Sequence, residues 1–250
     1  MSTESDVRAS DPTALPAAPD APEGSARAFL GLQATHNPHR WVLPVRPPIC
    51  TPADFLFGGS GLAAAAEALE ATTGRPLVWA TAQYLAFARP PEILDLDVRI
   101  AVSGRSVTQA RAVGHVGDKE ILTVNAALGA RRFDVEGQWA RRPEAPPPED
   151  CPAMPQWWGE VESIHSRLEI RVASGGPDLR DGTPSADGRS LRWARFLDPI
   201  EDGSAALALV ADFMPSGIGR AMGRHGGGNS LDNTIRILDT ARTEWILGDI

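Results

Sequence analysis

The sequence is short of cysteine, aromatic residues and positive charge, and these shortages remove whole classes of protein. Cys50 and Cys151 are the only cysteines in 250 residues. They lie far apart, without a CxxC pair or neighbouring histidines, which argues against a disulfide scaffold or a zinc site and fits a reducing, cytoplasmic setting. Basic residues number 24 against 32 acidic, a net charge of −8 with a pI near 5.2. No Lys/Arg stripe offsets this locally, so nucleic acid and anionic membrane are poor partners. No run approaches the roughly 18–20 apolar residues of a membrane span, and the first residues lack the basic-then-apolar order of a signal peptide. His36, His39, His115, His165 and His225 show no paired spacing for a metal. A GxSxG nucleophile elbow is absent, and no metal or cofactor is expected.

What is present is ordinary globular composition, 42% hydrophobic, 22% charged and 6% aromatic, enough for one large domain or two smaller ones. Residues 1–26 mix Pro, Ala, Ser and acidic residues without a hydrophobic period and read as a disordered tail. The stretch RRPEAPPPEDCPAMPQ, 141–156, reads as a linker, because consecutive prolines favour an extended path. It separates an N-terminal unit, 27–140, from a C-terminal unit, 157–250. A third irregular stretch, Ala173 to Ser190, reads as a surface loop.

In the first unit, FGGSGLAAAAEALEATTG from Phe57 to Gly74 places two glycines before a run of helix formers, predicting a helix of about 12–14 residues capped by Gly74. Its alanines give little bulk, so whatever packs on it approaches closely. Leu94, Leu96, Val98, Ile100 and Val102 alternate with Asp95, Asp97, Arg99 and Ala101, the period of a half-buried strand. Ser106–Val116 and Glu120–Ala130 read as further strands joined through a GDK turn, and Leu77–Phe87 as a fourth. One helix followed by an antiparallel meander implies a sheet wrapped around that helix. The second unit repeats this order with strands over Glu162–Ala173 and Leu191–Phe196, a helix candidate within Gly203–Arg224, and strands over Asn233–Thr240 and Glu244–Ile250.

The segments FLFGGSGLAAAAEALEATTGR, AQYLAFARPPEILDLDVRIAVSGRSVTQARAVGHVGDKEILTVNAALGA and NSLDNTIRI together resemble the type II acyl-CoA thioesterase family. The resemblance implies an α+β tandem double hotdog, each antiparallel sheet wrapped around a central helix. It also implies hydrolysis of fatty acyl-CoA to free acid and CoA by a water oriented by an Asp, a Ser/Thr and a Gln. By position the Asp falls on Asp212 and the hydroxyl on Ser230. The Gln has no counterpart before Ile250, Asn233 stands where a His is usual, Arg236 stands where an aromatic is usual, and the downstream His-Arg pair is absent. The second unit is therefore expected to be short of strands. Its open sheet edges favour pairing with another copy, so a homo-oligomer is expected.

Asp212 could act as general base; the plainer reading is a helix N-cap. Ser230 could hold the water or Asp212, or serve only as a turn hydroxyl, and Asp232 is placed at the site, its plainer reading being a pair with a backbone amide or Arg near the sheet rim. Gly58 and Gly59 permit close backbone approach, and amides at the helix start would attract a carbonyl oxygen or phosphate, although such glycines also serve simple turns. Ala63–Leu69 with Leu207, Leu209 and Val210 could line an acyl tunnel or be plain core. The leading expectation is an acyl-CoA hydrolase. Its rivals are a non-catalytic acyl-thioester binding or assembly module of the same fold, and a hotdog hydratase, which would need an Asp/His pair.

Overall fold

The computed structural model describes residues 21–130, 137–155, 161–175, 184, 187–198, 200–201, 203–213, 216–223, 228–240 and 243–250. The expected tail lies outside the described residues up to position 20, as does much of the expected loop between 173 and 190. In chain order the first half holds α1 (Ala26–Leu30), β1 (Gln33–Ala34), β2 (Arg40–Pro44), α2 (Gly58–Thr73), β3 (Leu77–Tyr84), β4 (Ile93–Ser103), β5 (Val107–Val116) and β6 (Lys119–Gly129). The second half holds β7 (Leu168–Ser174), β8 (Leu191–Phe196), α3 (Ser204–Ala211), α4 (Ser216–Ala221), β9 (Asp232–Arg236) and β10 (Ile246–Asp249).

Helix α2 runs 16 residues, longer than expected, and ends where Gly74 takes a left-handed conformation (φ 65) and returns its N–H to the Glu70 carbonyl at 2.8 Å. Ala63, Ala64, Ala65 and Ala66 have no exposed surface at all. The first half of the helix, buried on every side from Gly59 to Ala66, needs no amphipathic stripe. The small side chains let α3 lie directly against one side of α2, while β3, β4, β5 and β6 cover the other. Leu94, Leu96 and Val98 of β4 turn inward to this core, and Asp97 and Arg99 turn out. The predicted alternation fails at Val102, which is exposed, because the β4–β5 register shifts between Ile100 and Val102. The β5–β6 hairpin turns through Gly117 at φ 56, the conformation for which glycine is the ready choice.

The larger sheet has seven strands in the order β1-β2-β4-β5-β6-β3-β9, and the smaller has three in the order β10-β8-β7. Strand β9 comes from the second half yet pairs antiparallel with β3, with Thr81 opposite Thr234 and their hydroxyls 2.9 Å apart. Each of these strands follows its own unit's helical segment, and β8 pairs with β10 as β2 pairs with β4. This is the element order of a tandem repeat. The helix candidate of the second half is two short helices, α3 and α4, rather than one. The Pro-rich stretch is not a free tether along its described part. The Met154 N–H bonds the Ile170 carbonyl at 2.8 Å, the Val172 N–H bonds the Pro152 carbonyl at 2.9 Å, and the Trp193 indole bonds the Pro146 carbonyl at 2.9 Å, all along the edge and face of the smaller sheet.

Candidate active site

Asp212 does not begin a helix; it closes α3 at φ −80, ψ 0. Its carboxylate reaches the start of α2, where Phe57 contributes no side-chain cap, and Oδ2 accepts the Gly59 N–H at 2.6 Å. The capping role and the site role thus coincide, with the cap supplied from another helix. Glycine is required there. A Cβ on Gly59 would lie 2.9 Å from the Asp212 Cβ and 3.1 Å from the Ala208 carbonyl oxygen, and one on Gly58 would lie 2.7 Å from Asp212 Oδ2.

The other carboxylate oxygen, Oδ1, accepts the Asn233 amide at 2.6 Å and the Ser230 hydroxyl at 3.4 Å. The same Asn233 amide donates to the Tyr84 hydroxyl at 3.2 Å, and Tyr84 donates to the Gly58 carbonyl at 2.9 Å. A closed loop of bonds therefore ties β9, β3, α3 and the first turn of α2 together. Burial raises the Asp212 pKa above the usual carboxylate value, and the three donors from Asn233, Gly59 and Ser230 oppose that rise. Burial and the nearby Asp212 charge push the Tyr84 phenol up, so it stays a protonated donor.

Asp212 and Ser230 line a cavity of about 630 Å³, within the usual size range of ligand pockets. Its apolar walls include Phe55, Leu56, Phe57, Leu85, Phe87 and Phe213. Gly58 also lines it, and as the first residue of α2 its amide lies in the turn that has no intrahelical acceptor. The structure thus brings together Asp212, Ser230, Gly58 and Gly59. It does not bring in Asp232, which is exposed on β9 opposite Gln83. Successive strand residues face opposite ways, so Asn233, half-buried, is the one that turns to the carboxylate.

Ala63–Ala66, Ala68, Leu69, Leu209 and Val210 are core rather than a tunnel, and neither they nor the half-buried Leu207 line the cavity, which opens at the N-terminal end of α2 instead. Tyr84 and Thr51 are not among the residues the sequence singles out, and His165 is weighed there only as a metal ligand. Tyr84 carried one usable signal, being the chain's single tyrosine, placed at the end of a predicted strand. No cluster of residues suited to a metal occurs among the described residues. Among them, too, no helix is long and apolar enough to cross a membrane.

Antiparallel sheets curled about central helices, with a buried carboxylate where two of those helices meet, make the protein a double hotdog. Residues 148–250 match the family model of the acyl-CoA thioesterase C-terminal domain. A candidate thioesterase from Novosphingobium aromaticivorans is 34% identical, over 86% of this chain and 84% of that one, with a TM-score of 0.76. The chain belongs to the type II acyl-CoA thioesterase family. Two more distant structures share the fold. The TesB protein of Mycobacterium avium subsp. paratuberculosis is 21% identical over 90% of this chain and 84% of that one, with a TM-score of 0.72. A hot dog fold protein from Alicyclobacillus acidocaldarius is 18% identical over 86% and 78%, with a TM-score of 0.74. No match was found among curated proteins.

Proposed function

We propose that the protein hydrolyses fatty acyl-CoA to free acid and CoA, with Asp212 directing the attacking water. The observation that carries this reading is a carboxylate only 7% exposed, held by three donors on the wall of a largely apolar cavity. Among the described residues both Oδ1 positions are taken by Asn233 and Ser230, whereas Oδ2 has one partner, Gly59. A carboxylate oxygen can accept two bonds, which leaves Oδ2 a position for water. The missing Cβ of Gly58 leaves room beside that oxygen.

In the reaction the water oxygen attacks the thioester carbonyl carbon as its proton passes to Asp212. The charge that develops on the carbonyl oxygen is met by the Gly58 amide at the positive end of α2. Collapse of the tetrahedral intermediate breaks the C–S bond, and the departing CoA sulfur takes the proton back from Asp212. Asn233 and Ser230 hold the carboxylate in register, and Tyr84 holds Asn233. The fatty chain lies against Phe55, Leu56, Phe57 and Phe213.

The test is release of free thiol from a series of acyl-CoA substrates. Turnover by the native protein and its loss in Asp212→Asn by about 10²-fold or more support the reading. Tight binding without turnover would instead support a binding module, and full turnover in Asp212→Asn would overturn the assignment of Asp212.

A further inference from the structure

The cavity is not apolar throughout. Two lining side chains, Thr51 and His165, each bury a polar atom, Oγ1 and Nδ1, that has no hydrogen-bond partner among the described residues. Asp212, Ser230 and Tyr84, which also line the cavity, are by contrast bonded to one another or to Asn233 and the backbone. The two chain segments that carry them are joined by a backbone bond. The Ile164 N–H donates to the Cys50 carbonyl at 2.9 Å, so positions 165 and 51 each follow directly from that bond. The imidazole is fixed in place by rings, edge-on to Phe213 with centroids 5.0 Å apart and to Phe57 at 6.1 Å.

A saturated acyl chain filling this cavity would leave both polar atoms dry and unpaired, an arrangement that costs free energy and that native interiors avoid. A chain ending in a carboxylate fits no better. No lysine or arginine lines the cavity among the described residues, and Asp212 already supplies a negative charge. Burial lowers the His165 pKa, so the ring is neutral, with one nitrogen donating and the other accepting. A threonine hydroxyl can do either. Together they suit a neutral oxygen.

We propose that the preferred substrate is an acyl thioester whose chain carries a neutral hydrogen-bonding substituent, a hydroxyl or oxo group, received by His165 and Thr51. This rests on the acyl-thioester reading of the same cavity and names its substrate class. The site favours such a chain because binding the unsubstituted analogue leaves the buried Thr51 and His165 atoms unpaired.

The test uses the full chain and matched pairs of non-hydrolysable acyl-CoA thioether analogues, differing only in a hydroxyl or oxo group stepped along the chain. Binding is measured by calorimetry. At one or more positions the substituted member should bind about tenfold more tightly. His165→Phe and Thr51→Val should each shrink that gap, and Thr51→Val serves alone if the larger change disturbs folding. Equal or weaker binding of every substituted member would overturn the proposal, as would a gap that persists in the variants. Thiol release is followed separately: a binding gap without hydrolysis of the corresponding esters sinks the hydrolase reading while sustaining this one, and hydrolysis without a gap does the reverse.

Discussion

Gly59 and Gly61 lie two positions apart in α2, and substituting each by alanine should have opposite consequences. Helix propensity alone favours both changes by about 1 kcal/mol. At Gly61 the new methyl would meet only side-chain carbons, Leu122 Cδ2 at 3.2 Å and Leu56 Cδ2 at 3.6 Å. At Gly59 it would meet the Phe57 ring at 2.7 Å, the Asp212 Cβ at 2.9 Å and the Ala208 carbonyl oxygen at 3.1 Å. A ring can turn, but Ala208 is backbone of α3, so the two helices must part. Overpacking of this kind costs about 1–3 kcal/mol. Gly59→Ala should therefore lose up to roughly 2 kcal/mol after its propensity gain, whereas at Gly61, where only side-chain ends must give, a gain of up to about 1 kcal/mol should remain. Parting the helices also stretches the 2.6 Å bond from the Gly59 N–H to Asp212. A misplacement near 1 Å is worth about 10²-fold in rate. Urea unfolding gives the stability change and thiol release gives kcat/KM. Gly59→Ala behaving like Gly61→Ala in both assays would refute the claim that close approach of α2 and α3 positions the carboxylate.

Glu67, beside Glu70 on α2, has its pKa raised to about 7, by burial first and then by Glu70, against the pull of Arg27 at 3.9 Å. The folded state thus holds this proton more tightly than the unfolded one, so the contribution of Glu67 to stability is fully present at acid pH and is lost as pH rises through about 7. Glu67→Gln should stabilise by on the order of 2–3 kcal/mol near pH 8 and by nothing below about pH 4, as read from unfolding curves at the two pH values; the same shift at both would count against it. The acid limb of the pH–rate profile should lie above the ordinary carboxylate range, because Asp212 must be ionised to accept a proton and burial raises its pKa. Asn233→Ala removes a donor that favours the charged form, so it should move that limb further upward; an unmoved limb would mean that Asp212 is not the titrating base. Arg167 lies 3.4 Å above the Phe29 ring centroid and bonds Asp198 at 2.6 Å and the Phe29 carbonyl at 2.9 Å. Arg167→Met should cost about 1–2 kcal/mol by thermal unfolding, and no loss would show that α1 is held by other contacts.

Local rules made α2, its Gly74 cap and the outward aspartates of β4 legible, since propensity and periodicity act within a few residues. Resemblance to a family, not these rules, pointed to Asp212 and Ser230, and the rules gave Asp212 a cap of its own helix as its plainer role. The carboxylate caps α2 instead, a contact spanning more than half the chain that no window of sequence contains. Asp232 illustrates the converse error. Its type suits a site, but strand alternation turns it outward and gives the inward place to Asn233. Thr51 and His165 had no motif to announce them, because their juxtaposition depends on one backbone bond between two distant loops. The break in β4 after Ile100 is likewise a matter of partner register, which the strand's own residues do not encode.

The union of β9 with β3 has a consequence for how the protein would fail. Five residues at a sheet margin are among the first to peel away. If they peel, Asn233 leaves with them, the Asp212 anchor slackens, and Tyr84 loses one of its partners. Mild heat or denaturant should therefore silence turnover while most of the backbone spectrum is still intact, and cooling should restore both together.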